Sequence, residues 1–240
     1  MHPVQLDKDL FAYDLGLKYK NTLIFGDLHL GYEESLHKEG VFIPPYQLKD
    51  TVERFSRIFA ATGKVGRIIL TGDVKHEFGK ISNQEWHDVL HCIDFLKQQC
   101  QELIILEGNH DKVTKYITEK RDVVPCKEYI LNDILVLHGD RIPSAKNIQK
   151  AKKIIIGHEH PAVILKESKT SVRSEKFKCF LKGKWKRKTL IVLPSSNLLT
   201  EGTDIRGKLL SPFLQQSLAK FELWVVADEV RYFGKVKDLV

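Results

Sequence analysis

The sequence predicts an α/β fold, and two observations support this prediction. The first two-thirds of the 240-residue chain alternate short apolar runs with longer runs of helical periodicity. The final third changes character and consists of short strands and turns. Helices that follow the strands in this order are expected to cover the sheets on both faces. No linker interrupts the pattern, so one domain is predicted over residues 1–240.

Five short apolar runs in the first part are predicted to be buried strands. They occupy residues 23–25, 67–71, 103–106, 134–137 and 154–156. The apolar spacing predicts one helix over residues 46–60 and another from Asn83, its predicted N-cap, to about Cys100. Ser144 is predicted to cap a short helix between the last two strands.

The last third is predicted to contain four further strands. They occupy residues 179–181, 190–193, 221–226 and 230–236. Asp228 and Glu229 are predicted to form a hairpin turn between the last two of these strands.

The composition is typical of a packed protein that does not cross a membrane. Hydrophobic residues make up 42% and charged residues 29% of the chain. The chain contains no apolar run of the roughly 20 residues that a membrane span requires, and no signal peptide pattern, so we expect a cytoplasmic location. The four cysteines are dispersed without a CxxC pair, which favours reduced thiols over disulfides or a zinc site.

Each of the five strands in the first part is followed at once by a polar segment that contains glycine. In chain order these segments read GDLH (26–29), GDVKH (72–76), GNHD (108–111), HGD (138–140) and GHEHP (157–161). Sites in open α/β sheets form beyond the carboxyl ends of the strands, so we expect the five segments to converge there. The glycines allow sharp turns and short loops.

The side chains in these segments suit metal ions. Asp, His and Asn without Cys form a nitrogen and oxygen ligand set, which favours Mn²⁺, Fe or Zn²⁺. They are numerous enough for two ions roughly 3.5–4 Å apart that share a bridging carboxylate. Such a pair polarises a phosphate and lowers the pKa of a bound water, whose hydroxide attacks phosphorus before a general acid protonates the leaving oxygen.

The five segments, in this order and each behind an apolar strand, resemble the signature of the calcineurin-like metallophosphoesterases. The resemblance covers residues 23–161 and implies a four-layered α-β-β-α sandwich of two mixed sheets flanked by helices. It implies the following ligands: Asp27, His29 and His160 for a first divalent ion, Asn109, His138 and His158 for a second, and Asp73 as the bridge between them. Mn²⁺ is the expected metal, with Fe, Zn²⁺ or Ni²⁺ as alternatives.

The resemblance also implies roles for three residues that do not bind metal. His110 would be the general acid, and Asp111 would orient its imidazole. His76 matches a histidine that positions the scissile phosphate in SbcD-type nucleases, and we favour this role over the alternative of an exposed loop histidine. Lys75 beside it is predicted to be a surface residue. The loop sequences further resemble SbcD-related archaeal phosphoesterases and PdeM-type ligase-associated phosphoesterases.

A basic segment at residues 166–188 is the second functional signal. It contains ten Lys or Arg and two Glu, a net charge of +8, whereas the whole chain carries +7. Such a segment suits nucleic acid, but it is equally typical of a solvated loop. Within it, Arg173 and Lys176 are candidates for phosphate contacts. Trp185 is a candidate for base stacking, or packs on its own sheet in a hairpin.

Together these patterns predict a two-metal hydrolase of phosphate esters, acting as a phosphodiesterase or nuclease on nucleic acid or nucleotides. A phosphatase of monoesters or pyrophosphates is an alternative within the same chemistry. A non-catalytic metal-binding scaffold is the alternative from another class, and it is disfavoured because every ligand position and His110 are filled. The sequence does not indicate whether the protein binds a protein partner.

Overall fold

A mixed sheet of six strands forms the first half of the fold. The structure is a computed structural model that describes residues 1–166 and 173–239. The strands of this sheet are β1 (Val4–Asp7), β2 (Leu10–Tyr13), β3 (Gly16–Tyr19), β4 (Thr22–Phe25), β5 (Val65–Leu70) and β6 (Cys100–Ile105). They lie side by side in chain order. The pairs from β1 to β4 are antiparallel, whereas β4, β5 and β6 are parallel.

The antiparallel meander β1–β3 was not predicted from the sequence. Two-residue loops connect its strands, and such tight turns require left-handed backbone conformations that glycine usually supplies. Here Asp9, Asp14 and Lys20 adopt them, with φ of 64°, 53° and 52°. Because the turns lack glycine, the usual sequence signal of a hairpin is missing.

A second mixed sheet contains the remaining strands of the described chain. They are β7 (Glu128–Leu131), β8 (Ile134–Leu137), β9 (Lys153–Ile156), β10 (Pro161–Lys166), β11 (Ser174–Trp185), β12 (Lys188–Val192), β13 (Thr203–Asp204), β14 (Glu222–Val226) and β15 (Val230–Lys235). Their order is β13-β10-β11-β12-β9-β8-β7, and β14 pairs with both β11 and β15. β8, β9 and β12 are parallel. The predicted strands of the last third are therefore confirmed, with β11 longer than expected.

Helices cover the outer face of the first sheet. The described chain contains the α-helices α1 (Tyr32–Lys38), α2 (Gln47–Thr62), α3 (Asn83–Lys97), α4 (Lys115–Thr118) and α5 (Ala145–Lys150), of which α2, α3 and α4 lie on this face. Phe25 of β4 stacks on Phe55 of α2 with ring centroids 4.2 Å apart. The apolar faces of α2, α3 and α4 join the same buried cluster, so they form one layer against β4, β5 and β6.

The two sheets pack face to face through alternate residues of their strands. Ile24, Ile69 and Ile104 of the first sheet belong to one buried cluster with Val136 and Ile155 of the second. The outer face of the second sheet is covered by α5 and by the irregular segment 205–221. The predicted architecture of two mixed sheets flanked by helices is confirmed, and the fourth layer contains little helix.

The five strands that precede the predicted ligand segments lie in two sheets rather than one. β4, β5 and β6 belong to the first sheet, and β8 and β9 to the second. The prediction that the five segments converge at the crevice of one open sheet was wrong, because the loops meet where the ends of two packed sheets face each other. No helix in the described part of the chain combines the length and apolar character needed to cross a membrane.

Helix α3 begins and ends earlier than the sequence predicted. Ser82 is the N-cap instead of Asn83, since the hydroxyl of Ser82 accepts from the amide of Glu85 at 3.0 Å. The Glu85 carboxylate accepts from the Ser82 amide in return at 2.8 Å, which completes a capping box. The helix ends at Lys97, and Cys100 begins β6. The sequence contained this signal, a Ser three residues before a Glu.

We predict that Ser82→Ala destabilises the fold by about 1 kcal/mol, because an amide of the first turn of α3 loses its hydrogen-bond acceptor. The free energy of unfolding, measured in urea, would show the change. Ser56→Ala is the matched control, since Ser56 lies mid-helix in α2 and bonds only to the Val52 carbonyl. A change within about 0.5 kcal/mol is expected there. Equal effects of both substitutions would contradict the capping role of Ser82.

Candidate metal centre

The predicted ligand segments meet at one place between the two sheets. The loops after β4, β5 and β6 come from the first sheet, and those after β8 and β9 come from the second. Asp27, which follows β4, makes the cross-sheet contact. Its Oδ2 accepts from the His158 amide at 2.9 Å and lies 2.7 Å from Nε2 of His160. The segments after all five strands contribute side chains to one cluster.

A first group of potential ligands contains Asp27, His29 and His160. Their ligating atoms all lie within 4.8 Å of one another. The Nε2 atoms of His29 and His160 are 3.3 Å apart and face each other. Two imidazole nitrogens approach in this way only with a proton or a cation between them, because each otherwise presents a lone pair. This group can hold one metal ion.

A second group contains Asp73, His138 and His158, whose ligating atoms also lie within 4.8 Å of one another. Nε2 of His138 is 3.1 Å from Nδ1 of His158. It is 3.0 Å from Oδ1 of Asn109, so the amide oxygen faces the same point. Three nitrogen or oxygen donors plus a carboxylate can hold a second ion.

The carboxylate of Asp73 lies between the two groups. Its Oδ2 is 3.7 Å from Nε2 of His29 and 3.4 Å from Nε2 of His138. Its Oδ1 accepts from the His110 amide at 2.9 Å, which fixes the orientation of the carboxylate. One oxygen is thus held by the main chain, while the other faces both ligand groups.

A main-chain hydrogen bond fixes the tautomer of His138. Its Nδ1 is 3.0 Å from the carbonyl oxygen of Thr71, which can only accept, so Nδ1 carries the proton. Nε2 faces Asn109 and His158, and it is the atom that would bind a metal ion after losing its own proton. Support of a ligating imidazole through its other nitrogen is typical of metal sites.

The electrostatics of the site favour added positive charge. Burial disfavours the charged imidazole of His138, but the carboxylates of Asp27 and Asp73 outweigh burial and raise its pKa to about 9. Burial and the charge of neighbouring His160 lower the pKa of His29 to about 3, which keeps that imidazole neutral. Burial and the charge of His138 also lower the pKa of His158.

The residues present fit divalent metal ions. Two buried carboxylates attract a proton to His138, whereas the lowered pKa values of His29 and His158 keep those two imidazoles neutral. Neutral imidazoles and ionised carboxylates are the forms that bind metal, so binding would release the His138 proton. The ligand set contains no thiolate. It therefore suits the harder and borderline divalent ions of the first transition row.

Four candidate ligands have an unusual backbone conformation. His29, Asp73, His158 and His160 have φ of 47°, 46°, 66° and 49°, and they are four of the ten described non-glycine residues with positive φ. The left-handed conformation costs roughly 1–2 kcal/mol per residue. Such strain is typical of functional sites, where the surrounding structure enforces it.

Two glycines make room for the buried carboxylates. A Cβ on Gly108 would lie 2.0 Å from Oδ1 of Asp73, and a Cβ on Gly157 would lie 2.2 Å from Oδ1 of Asp27. Neither distance is possible between nonbonded atoms. These glycines were predicted to allow sharp turns, but in the structure they leave space for the carboxylates.

His110 lies beside the two groups, but Asp111 does not orient it. Nε2 of His110 is 3.8 Å from Oδ2 of Asp73, and its Nδ1 donates to the carbonyl oxygen of His76. The buried carboxylate of Asp111 instead accepts from the amides of Val74 and Gly108. Asp111 thus ties the loop after β5 to the loop after β6. Burial, followed by the charge of Asp73, raises the pKa of Asp111 to about 6.

His76 lies at the rim of the same site. Its ring centroid is 5.5 Å from that of His29 and 5.6 Å from that of His110, and these three imidazoles form a third cluster of potential ligands. Tyr32 contacts its ring edge-on at 4.5 Å between centroids. Burial, followed by the charge of His110, lowers the pKa of His76 to about 4. The structure therefore brings His76 to the site.

Lys75 is buried, so the prediction of a surface lysine was wrong. Its relative exposure is 0%, and its ammonium group donates to the carbonyl oxygen of Glu77. The side chain folds back over its own loop and braces the turn that carries His76. No signal in the sequence indicated this burial, because Lys75 is a charged residue within a polar, glycine-containing segment.

Most of the described part of the basic segment is strand β11, and its lysines point to different places. Lys176 donates to the carbonyl of Gly202 at 3.3 Å, and the Gly202 backbone packs on that of His160, so Lys176 lies near the site. Lys182 instead donates to the carbonyl of Leu6 and pairs with Glu222. Residues 167–172, a part of this predicted segment, lie outside the described residues.

Arg173 and Trp185 lie at opposite ends of β11. Arg173 precedes the strand, is exposed, and has Glu175 3.7 Å away. Trp185 is 8% exposed and packs on Phe213, with ring centroids 4.8 Å apart. It pairs with Lys188 at the start of β12, whereas the metal centre lies beyond the other end of that strand. Trp185 is thus the packed hairpin residue of the two interpretations, and base stacking by it is not supported.

Several residues that support the site were missed in the sequence. The hydroxyl of Thr71 donates to Oδ1 of Asp27 at 3.2 Å, and Ser195 donates to the Asp27 carbonyl at 2.8 Å. Gln47 donates to the His29 carbonyl at 2.8 Å and to Asn197 at 3.3 Å. Only Thr71 had a signal, because it directly precedes the Gly72-Asp73 segment.

A solved structure that is similar over nearly the whole chain supports this fold. The crystal structure of Pseudomonas putida nuclease MPE has a TM-score of 0.66 and 17% sequence identity, and the match covers 97% of this chain and 99% of that one. The phosphoesterase Yfce from E. coli has a TM-score of 0.38 and 14% identity over 78% of this chain and 91% of its own. Comparison with curated proteins found no match.

A sequence model of one protein family matches most of the chain. The family is that of the calcineurin-like phosphoesterases, and the match covers residues 20–193. This range includes all five ligand segments. The chain therefore belongs to the calcineurin-like phosphoesterase family and is a metal-dependent hydrolase of phosphate esters.

Proposed function

We propose that this protein is a two-metal phosphodiesterase that acts on nucleic acid or nucleotides. The observation that carries the proposal is the position of Asp73, whose Oδ2 faces both ligand groups at 3.7 and 3.4 Å. In this proposal Asp27, His29 and His160 hold one ion, Asn109, His138 and His158 hold the other, and Asp73 bridges them. Bound divalent ions would polarise the phosphate and lower the pKa of a water molecule.

His110 is the proposed general acid. Its Nδ1–H donates to the carbonyl of His76, so the proton available for transfer is the one on Nε2. That nitrogen points toward Asp73 and hence toward a phosphate bound between the ligand groups. A leaving oxygen at this end of the phosphate would receive the proton. His76, at the rim beside His110, is in place to contact a phosphate oxygen.

Two features support a diester substrate over a small monoester. On the His110 side, the rim of the site contains the aromatic rings of Tyr32 and His76. On the His160 side lies the basic residue Lys176. The two groups esterified to a phosphate would therefore meet an aromatic surface on one side and a basic residue on the other. The structurally similar Pseudomonas putida protein is described as a nuclease. We propose Mn²⁺ as the working metal, because the ligands are imidazoles, carboxylates and an amide oxygen.

The first test compares two esters on metal-stripped protein resupplied with Mn²⁺. Bis-p-nitrophenyl phosphate is expected to turn over faster than p-nitrophenyl phosphate, and single-stranded DNA or RNA to be cleaved under the same conditions. Release of nitrophenolate and gel analysis of end-labelled strands are the measurements. Monoester turnover far above diester turnover would reject the diesterase proposal in favour of a phosphatase.

His110→Ala is expected to lower turnover by roughly 10²–10⁴-fold, the usual contribution of general acid–base catalysis. Metal content and thermal unfolding should stay near wild type, since no predicted ligand is removed. The matched control is His87→Ala, because His87 is exposed on α3 and belongs to none of the ligand groups. Turnover of His110→Ala equal to that of the control would remove His110 from the proposed role.

Asp73→Ala is expected to lose at least one of two bound Mn²⁺ ions, because both ions share its carboxylate in this proposal. Metal content per chain after gel filtration, together with calorimetric titration of Mn²⁺, measures the loss. Asp228→Ala, in the β14–β15 turn, is the control for charge removal. Two ions bound to Asp73→Ala with wild-type affinity would contradict the bridging role.

A further inference from the structure

An exposed aromatic ring covers one face of the proposed acid. Phe78 is 60% exposed, yet its ring lies on the imidazole of His110 with centroids 3.6 Å apart and planes inclined by 32°. Phenylalanine is an apolar residue, and large exposed rings beside a site commonly mark contact with a partner or ligand. The contact with His110 places this ring at the rim of the metal centre.

The loop that carries Phe78 is held in place from several directions. The buried carboxylate of Glu85 accepts from the amide of His76 at 3.1 Å and from that of Glu77 at 2.7 Å. Lys75 donates to the Glu77 carbonyl. On the outside, Lys38 of α1 pairs with the Glu77 side chain at 3.2 Å. Phe78 is therefore presented to solvent on an anchored backbone, so binding through its ring costs little ordering entropy.

The position of Phe78 relates it to one side of a bound phosphate. His110 points its Nε2 at the space beside Asp73, and Phe78 lies on the face of the same imidazole. A group bonded to the leaving oxygen must pass the tip of His110 and continue along the rim. An aromatic group at the far end of a sugar would then meet the exposed part of the Phe78 ring.

We infer that Phe78 is a stacking platform for the nucleobase on the leaving-group side of the scissile phosphate. This inference rests on the proposed function and makes it more specific, because it assigns contact with a nucleobase to one residue. Base–aromatic stacking tolerates any base, since every base has a π face. The expected preference is therefore for a base over none, rather than for one base over another.

A role of Phe78 through His110 alone is the competing explanation. An aromatic face stabilises a protonated imidazole, so removing the ring would change the acid for every substrate alike. A stacking platform affects only substrates with a base at the matching position. The two explanations thus differ in the dependence of the loss on the substrate.

The test uses dinucleotides that carry a base on both sugars or a tetrahydrofuran abasic sugar at either the 5′ or the 3′ position. Phe78→Ala is expected to lower kcat/KM for the intact dinucleotide by roughly 5- to 150-fold, the range for loss of one base stack. The loss should be smaller by that factor for the abasic substrate that lacks the stacked base, because any effect of the ring on His110 is common to all three substrates. Phe78→Trp should retain wild-type selectivity, and Phe233→Ala on β15 controls for loss of an exposed ring.

An equal loss on all three substrates, or no loss, would overturn the inference. A binding measurement separates it from the proposed function. Dinucleotides with 2-aminopurine at either position are titrated with protein in Mn²⁺, and stacking on Phe78 is expected to quench their fluorescence in wild type but not in Phe78→Ala. If wild type cleaves no dinucleotide, the diesterase proposal fails, and the quenching alone decides the platform. Equal quenching in both proteins would overturn it.

Discussion

The buried carboxylate of Asp27 is the interaction on which the site depends. It follows β4 in the first sheet, yet its oxygens contact His158 and His160 after β9 of the second sheet. Its main-chain carbonyl accepts from Ser195, Ser196 and Asn197. The contacts between Asp27 and the two histidines therefore hold the ends of the two sheets together at the ligands. A carboxylate this buried is stable only when fully paired, so the packing of the sheets and the assembly of the site are one requirement.

Much of the fold was predictable because its central strands are strongly apolar. β4, β5, β8 and β9 were found from short buried runs, and α2 from its periodicity. The partition of these strands between two sheets was not predictable, because pairing depends on contacts far apart in the chain. The β1–β3 meander was missed for a local reason, since its turns use Asp and Lys where glycine is usual.

The metal ligands could be predicted and their supporting residues could not. Ligand chemistry restricts a metal position to a few residue types, and these recur after each strand. Support requires only a hydrogen bond of the right geometry, which main-chain atoms supply as well as side chains. The carbonyls of Thr71 and His76 hold His138 and His110, and a carbonyl leaves no mark in a sequence. The assignment of Asp111 as the partner of His110 was wrong for this reason.

The left-handed backbone of His29, Asp73, His158 and His160 has a consequence for protein engineering. Copying these residue types onto another sheet would reproduce the chemistry without the loop geometry, and ordinary loops would relax to the right-handed or extended regions and turn the side chains away. A transplant must therefore carry the turns and the facing glycines with the ligands. The smallest segment set that could be transferred with its geometry intact therefore comprises the strand ends of both sheets with their loops. The ligand residues alone would not reproduce the site.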